Sequence, residues 1–192
     1  MRVTYRGIYR PPSLTPIWVL LAVNLLVFLA TLIQRSLIFD TFGLTPFLLG
    51  QQPWTFITNL FVHASFWHLF GNMLMLYFFG SYLLGLAGEK MFLAIYFLAG
   101  LAGNALFLLI GNEFSTAIGA SGALYGVMGT LAVMRPRLKV YLWFMVPVDL
   151  WIVVLVGALV ISPGIAWQAH LGGLALGLLA GLYLRRSRRI PF

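Results

Sequence analysis

Residues 117–129 read AIGASGALYGVMG. A single serine, Ser121, stands among small residues in a chain that elsewhere reads as lipid-facing apolar sequence. Either the serine and its glycines let two helices pack closely, or the serine is a nucleophile that close packing brings to a base. Gly122 and Gly126 form a small-xxx-small pair, a packing face frequent between membrane helices. The stretch alone therefore leaves both readings open, and the rest of the chain has to decide.

Composition fixes the class. Of the 192 residues, 61% are hydrophobic and only 8% charged, whereas soluble domains carry about 25% charged residues. The chain could not cover a water-facing surface, and its apolar runs approach the roughly 20 residues that cross a bilayer. The expected fold is an all-α membrane protein, a six-helix core over residues 15–184 between an N-terminal tail (1–14) and a basic C-terminal tail (185–192). Spans are expected near 15–34, 68–87, 91–111, 119–135, 148–162 and 168–184. The first apolar run is too long for a signal peptide and is read as a retained helix. Pro147 and Asp149 interrupt the fifth run. Proline suits a first helical turn and aspartate a helix start, so KVYLWFMVP (139–147) is placed along the interface, ahead of a short fifth helix. The loop 34–67, broken by Gly43, Pro46, Gly50 and Pro53, is expected to form short helices partly sunk in the outer interface, with Trp54 as an anchor.

The net charge of +8 lies in clusters beside the apolar runs, where it sets topology and meets anionic lipid headgroups rather than nucleic acid. With both termini inside, the inner segments hold Arg2, Arg6, Arg10, Lys90, Arg135, Arg137, Lys139, Arg185, Arg186, Arg188 and Arg189, and the outer ones only Arg35. The positive-inside rule then places both termini in the cytoplasm. A multi-pass protein of a prokaryotic plasma membrane is the expected setting. The absence of cysteine excludes disulfides and thiolate chemistry, scattered histidines without clustered carboxylates make a poor metal site, and no cofactor is called for. The sequence does not set an oligomeric state.

In this topology the even-numbered spans run inward, and each opens on a polar cluster: HASFWHLFGN (63–72), GASGALYG (119–126) and QAHLGG (168–173). His68, Ser121 and His170 fall at similar depth. His68 and Asn72, four apart, share one helix face, either as interhelical glue or as donors toward a developing oxyanion. His63, in the loop just before, is read as holding that loop's shape. Gly173, Gly177 and Gly181 recur every four residues behind His170, so the sixth helix can lie close to the fourth, with its Gly122, Gly126 and Gly129. Close packing would bring an imidazole base to Ser121, the minimal device for nucleophilic catalysis. Tyr125 lies one turn further in on the same face as Ser121. Glu89 and Asp149 fall on the cytoplasmic side and Asp40 and Glu113 in outer loops, so the device is a dyad without a carboxylate.

These residues resemble the rhomboid intramembrane serine proteases over roughly Phe42 to Tyr183. The likeness is carried by FGLTP, FITNLFVHASFWHLFGNM, GEKMFLAIYFLAG, GASGALYGVMG and AHLGGLALG. The resemblance implies Ser121 as nucleophile within a G-x-S-G motif, and His170 as general base within A-H-x-x-G. It implies Tyr125 stacked on His170, and an oxyanion hole of His68, Asn72 and the Ser121 backbone N–H. Gly119 and Gly122 would support the nucleophile, and Gly126, Gly173 and Gly177 the helix packing. Implied partners are transmembrane protein substrates, cleaved near their outer end at small residues. Two departures stand out. Thr55 follows Trp54 where the family often has arginine, and SPGIAWQ (162–168) is short for the loop that caps the site in related proteins, which implies more open access. The rival readings are a catalytically silent relative that binds membrane proteins or serves their quality control, and a transporter or channel. The last would carry more intramembrane charge or an internal repeat.

Overall fold

A computed structural model describes residues 13–142, 145–158 and 166–187. Most of both tails, the end of the expected fifth span and residues 162–165 of the segment ahead of His170 lie outside the described residues. The described chain is mostly helical. It opens with α1 (Thr15–Ile33), followed by α2 (Arg35–Phe42), a 3₁₀ turn at Pro46–Leu48, α3 (Thr55–Thr58) and a second 3₁₀ turn at Asn59–Phe61. Next come α4 (Phe66–Met75), a π-helical turn at Leu76–Gly80, α5 (Ser81–Ala87), α6 (Glu89–Ile110) and α7 (Ser121–Met134). A hairpin of β1 (Lys139–Leu142) and β2 (Val146–Asp149) precedes α8 (Leu150–Ala158) and α9 (Trp167–Arg186).

Among the described residues, three helices are long and apolar enough to cross a membrane: α1, the continuous Phe66–Ala87 run, and α6. Their exposed surfaces are what a lipid solvent demands, with Trp18, Leu26, Leu32, Phe78 and Leu109 turned outward. Helices α7 and α9 pack on each other and on α6. Ten of the fourteen residues of α7 are buried, and α9 carries its glycines inward.

Small residues set the central packing. A Cβ at Gly173 would fall on the carbonyl oxygen of Gly122, one at Gly177 on that of Gly126, and one at Gly181 within 2.9 Å of that of Thr130. The four-residue spacing of α9 thus matches the four-residue spacing of α7, residue for residue, in parallel. Thr130 Oγ1 lies 2.9 Å from the carbonyl oxygens of both Gly126 and Gly177, tying the two helices at their middle. Helix α6 runs antiparallel to both: Ala99 packs on Gly126, and Gly103 on Ala169. Because α7 and α9 are parallel and in register, their first turns emerge at one level.

The hairpin corrects the expectation for 139–149. Pro147 and Asp149 were placed in a helix start, but both lie in β2, which pairs antiparallel with β1 in the register Lys139↔Asp149 to Leu142↔Val146. The alternation of Val140, Val146 and Val148 with Tyr141 favours extended backbone. Proline is tolerated there because a two-stranded sheet has only edge strands. Lys139 Nζ sits 3.8 Å from an Asp149 carboxylate oxygen across the register pair. The all-α expectation accordingly becomes a helical bundle with one small hairpin.

Candidate active site

Ser121 is the first residue of α7 and His170 the fourth of α9. The in-register packing of the two helices sets His170 Nε2 2.9 Å from Ser121 Oγ. Tyr125, one turn along α7, stacks on the imidazole with ring centroids 4.4 Å apart and planes inclined by 27°. Its hydroxyl end meets α8, where Gly157 leaves the room: a Cβ there would lie 2.5 Å from the Tyr125 hydroxyl. His170 Nδ1 is buried and has no hydrogen-bond partner, so orientation of the ring rests on the stack and on packing.

The chain arrives at Ser121 through a strained turn. Gly119 has φ +113°, a region open to glycine and costly for residues with a Cβ. It also has no room for a side chain, since a Cβ would approach His68 Nε2 to 2.8 Å. The His68 imidazole therefore lies against the backbone just ahead of Ser121. Ser65 caps α4 by accepting the His68 N–H at 3.2 Å, and His68 Nδ1 accepts the Ala64 N–H at 3.4 Å. An accepting Nδ1 leaves the ring proton on Nε2, the nitrogen facing Gly119. Asn72 donates one amide hydrogen to the His68 carbonyl one turn back, at 2.7 Å, and is otherwise buried. At the start of α7, the Ser121 N–H has no partner within the helix.

His63 is fully buried beneath this group. Its Nδ1 lies 3.3 Å from the Phe61 carbonyl oxygen, and its ring packs against His68 with centroids 4.9 Å apart. Burial, and next the neighbouring His68, push its pKa down from 6.5 to about 4, against a smaller upward effect of the Phe61 carbonyl. His63 is thus a neutral support under His68.

Sequence reasoning missed a second support. Asn59 and Asn104 form a reciprocal amide pair, at 3.0 and 2.8 Å, and Asn104 also donates to the Phe56 carbonyl at 2.8 Å. The Asn59 side chain reaches the Ala117 carbonyl at 3.4 Å, while its own carbonyl accepts the Gly119 N–H at 2.8 Å. One loop residue thus grips the approach to Ser121 on both sides of Ile118. Leu44 and Ala117 exchange backbone hydrogen bonds at 3.0 and 2.8 Å, a further tie between the first loop and this segment. The available signal was Asn104 itself, a lone amide within an apolar span that needs a protein partner. Trp54 is half exposed and donates its indole N–H to the Thr41 carbonyl at 2.7 Å. Thr55 is buried and donates to the Gln52 carbonyl at 2.6 Å, a local turn bond.

Asn59, His68, Asn72, Asn104, Ser121, Tyr125 and His170 line one cavity of about 440 Å³. A serine hydroxyl, an imidazole and neutral N–H donors thus meet in a pocket within a helical membrane bundle. Residues 50–187 match the sequence model of the Rhomboid domain, and the chain belongs to the rhomboid family. It is 33% identical over 144 residues to Rhomboid protein 1, mitochondrial, of Saccharomyces cerevisiae, covering 68% of this chain and 42% of that protein. It is 31% identical over 159 residues to RHOMBOID-like protein 12, mitochondrial, of Arabidopsis thaliana, covering 70% and 47% respectively. To Rhomboid-like protease 3 of Toxoplasma gondii it is 28% identical over 185 residues, covering 89% and 69%. The chain spans less than half the length of the first two.

Proposed function

We propose that this chain is an intramembrane serine endopeptidase that cuts transmembrane segments of other membrane proteins near their outer end. The observation that carries the reading is the 2.9 Å contact between Ser121 Oγ and His170 Nε2. In this reading His170 Nε2 takes the serine proton, and Oγ attacks a peptide carbonyl to form an acyl-enzyme. His170 returns the proton to the leaving amine, then activates the water that hydrolyses the ester. Tyr125 keeps the imidazole aligned where no carboxylate does so. The Ser121 N–H and His68 Nε2–H are the oxyanion donors, each worth on the order of 10²- to 10³-fold in rate. The second amide hydrogen of Asn72 completes the set. Neutral donors suit this place, because a fixed cation in a membrane is costly.

The reading extends to topology. Helices α1, α4 with α5, α6, α7, α8 and α9 are the six spans, the loop between α1 and α4 is partly embedded, and both termini are cytoplasmic. Substrates are segments able to unwind locally, since an intact helix keeps its carbonyls bonded inside itself.

The test is labelling of the purified protein in detergent with a serine-reactive fluorophosphonate, beside cleavage of a panel of transmembrane substrates. Ser121→Ala and His170→Ala, each checked for an intact unfolding transition, are expected to abolish both. A folded wild type that neither labels nor cuts would replace this proposal with the catalytically silent, membrane-protein-binding reading.

A further inference from the structure

The buried asparagine pair has hydrogen-bonding capacity that its supporting role leaves over. The amide hydrogens of Asn59 go to the Asn104 side-chain oxygen at 3.0 Å and to the Ala117 carbonyl at 3.4 Å. Those of Asn104 go to the Asn59 side-chain oxygen and to the Phe56 carbonyl, both at 2.8 Å. A main-chain carbonyl only accepts, so these contacts fix which end of each amide is the nitrogen. All four amide hydrogens are therefore committed, while each side-chain oxygen accepts one bond and keeps a second lone pair. What remains to the pair is acceptor capacity alone.

Both asparagines are 2% exposed, and both line the cavity that holds Ser121. Asn59 binds the turn that leads into Ser121, and Gly103, next to Asn104, packs on Ala169, the neighbour of His170. Leu60, Ala117, Ile118, Ala166 and Ala169 line the same cavity with hydrocarbon. One cavity thus offers donors, at His68 Nε2 and the Ser121 N–H, and separately two amide oxygens. A substrate carbonyl oxygen suits the donors. The amide oxygens suit a group that brings its own hydrogen. A charged donor would lose its hydration there at high cost, whereas a hydroxyl is neutral and small.

Resting on the protease reading, we propose that the Asn59–Asn104 pair determines specificity for the residue whose carbonyl Ser121 attacks, selecting serine over alanine. The substrate hydroxyl donates to one of the two amide oxygens. Because each oxygen already holds one partner, an apolar side chain strands no bare polar atom. Discrimination therefore stays far below the roughly 10⁴- to 10⁵-fold of a site whose polar groups would be left unpaired. One added neutral hydrogen bond is worth roughly fivefold in rate.

The test sets peptides in competition for the full chain in detergent. They are built on a transmembrane segment that the wild type cleaves, and differ only in carrying serine, alanine or cysteine before the cut, with products identified by mass. Alanine is smaller than serine, and cysteine is larger and a weak donor, so a preference for serine over both cannot come from volume. The wild type is expected to cut the serine peptide roughly fivefold faster than either of the others. Asn59→Leu/Asn104→Leu replaces both amides with apolar side chains of similar shape and should bring the ratio to about one, whatever its overall rate. Should that variant prove unfolded in a thermal scan, the serine-to-cysteine ratio of the wild type carries the test. Equal cutting of all three peptides by the wild type, or a serine preference that survives in the double variant, would overturn the proposal and leave the protease reading standing. Failure of the wild type to cleave any transmembrane segment would overturn both.

Discussion

Substituting Gly173 by alanine tests whether the contact between α7 and α9 places the His170 imidazole on the Ser121 hydroxyl. Gly173 lies one turn beyond His170, and the added Cβ would fall on the backbone carbonyl oxygen of Gly122, the residue after Ser121. Neither atom belongs to a flexible side chain, so the helices themselves have to separate. Relieving the overlap moves α9 from α7 by on the order of 1 Å, and a misplacement of that size costs about 100-fold in rate. The 2.9 Å contact between His170 Nε2 and Ser121 Oγ would lengthen to about 3.9 Å, beyond hydrogen-bond range. The expected result is a fluorophosphonate labelling rate about 100-fold below wild type, equivalent to about 2.7 kcal/mol of barrier. Overpacking should also lower stability by about 1–3 kcal/mol. Gly85→Ala is the control, because a Cβ there has nothing within 4 Å; it should label normally and gain up to about 1 kcal/mol from helix propensity. A folded Gly173→Ala protein that labels within threefold of wild type would refute the claim that this packing sets the dyad.

Two further outcomes are expected. Asn104→Ala leaves the Asn59 amide without its buried partner and should cost on the order of 1–3 kcal/mol. The Asn59→Ala/Asn104→Ala double variant should lose less than the sum of the singles, as measured by thermal unfolding; strict additivity would show that the pair is not coupled. His63 makes stability depend on pH. With its pKa lowered from 6.5 to about 4, the unfolded chain binds more protons than the folded one between those values. Stability therefore falls as pH drops through that window, by roughly 3 kcal/mol in all, and is unaffected by this group above it. His63→Asn keeps a donor for the Phe61 carbonyl but cannot be protonated, so its unfolding midpoint should decline less between pH 6.5 and 4. An unchanged slope would exclude His63 as the source.

What could be read in the sequence was periodic. The glycines of α9 recur every four residues, and that repeat carries enough geometry to bring His170 to the helix that begins at Ser121. The polar residues opening three separate apolar runs likewise declare a common depth. What could not be read was singular and remote. Asn59 and Asn104 are 45 residues apart, and nothing local says that two amides will meet. The hairpin at 139–149 was hidden because Pro147 and Asp149 both suit a helix start. Their strand placement depends on two edges pairing only with each other. The π-helical turn at Leu76–Gly80 has no mark in an otherwise uniform apolar run.

The brevity of α7 has a mechanical consequence. Fourteen residues rise about 21 Å, whereas a bilayer's hydrocarbon layer is about 30 Å thick. A helix that short, wedged between the longer α6 and α9, leaves a well in the profile of the molecule at whichever end it stops early. If the well lies at the Ser121 end, water standing in it would wet the hydroxyl while the surrounding rim stays in oil. Water would then reach Ser121 with no channel through the protein, only one rod cut shorter than the two it packs between.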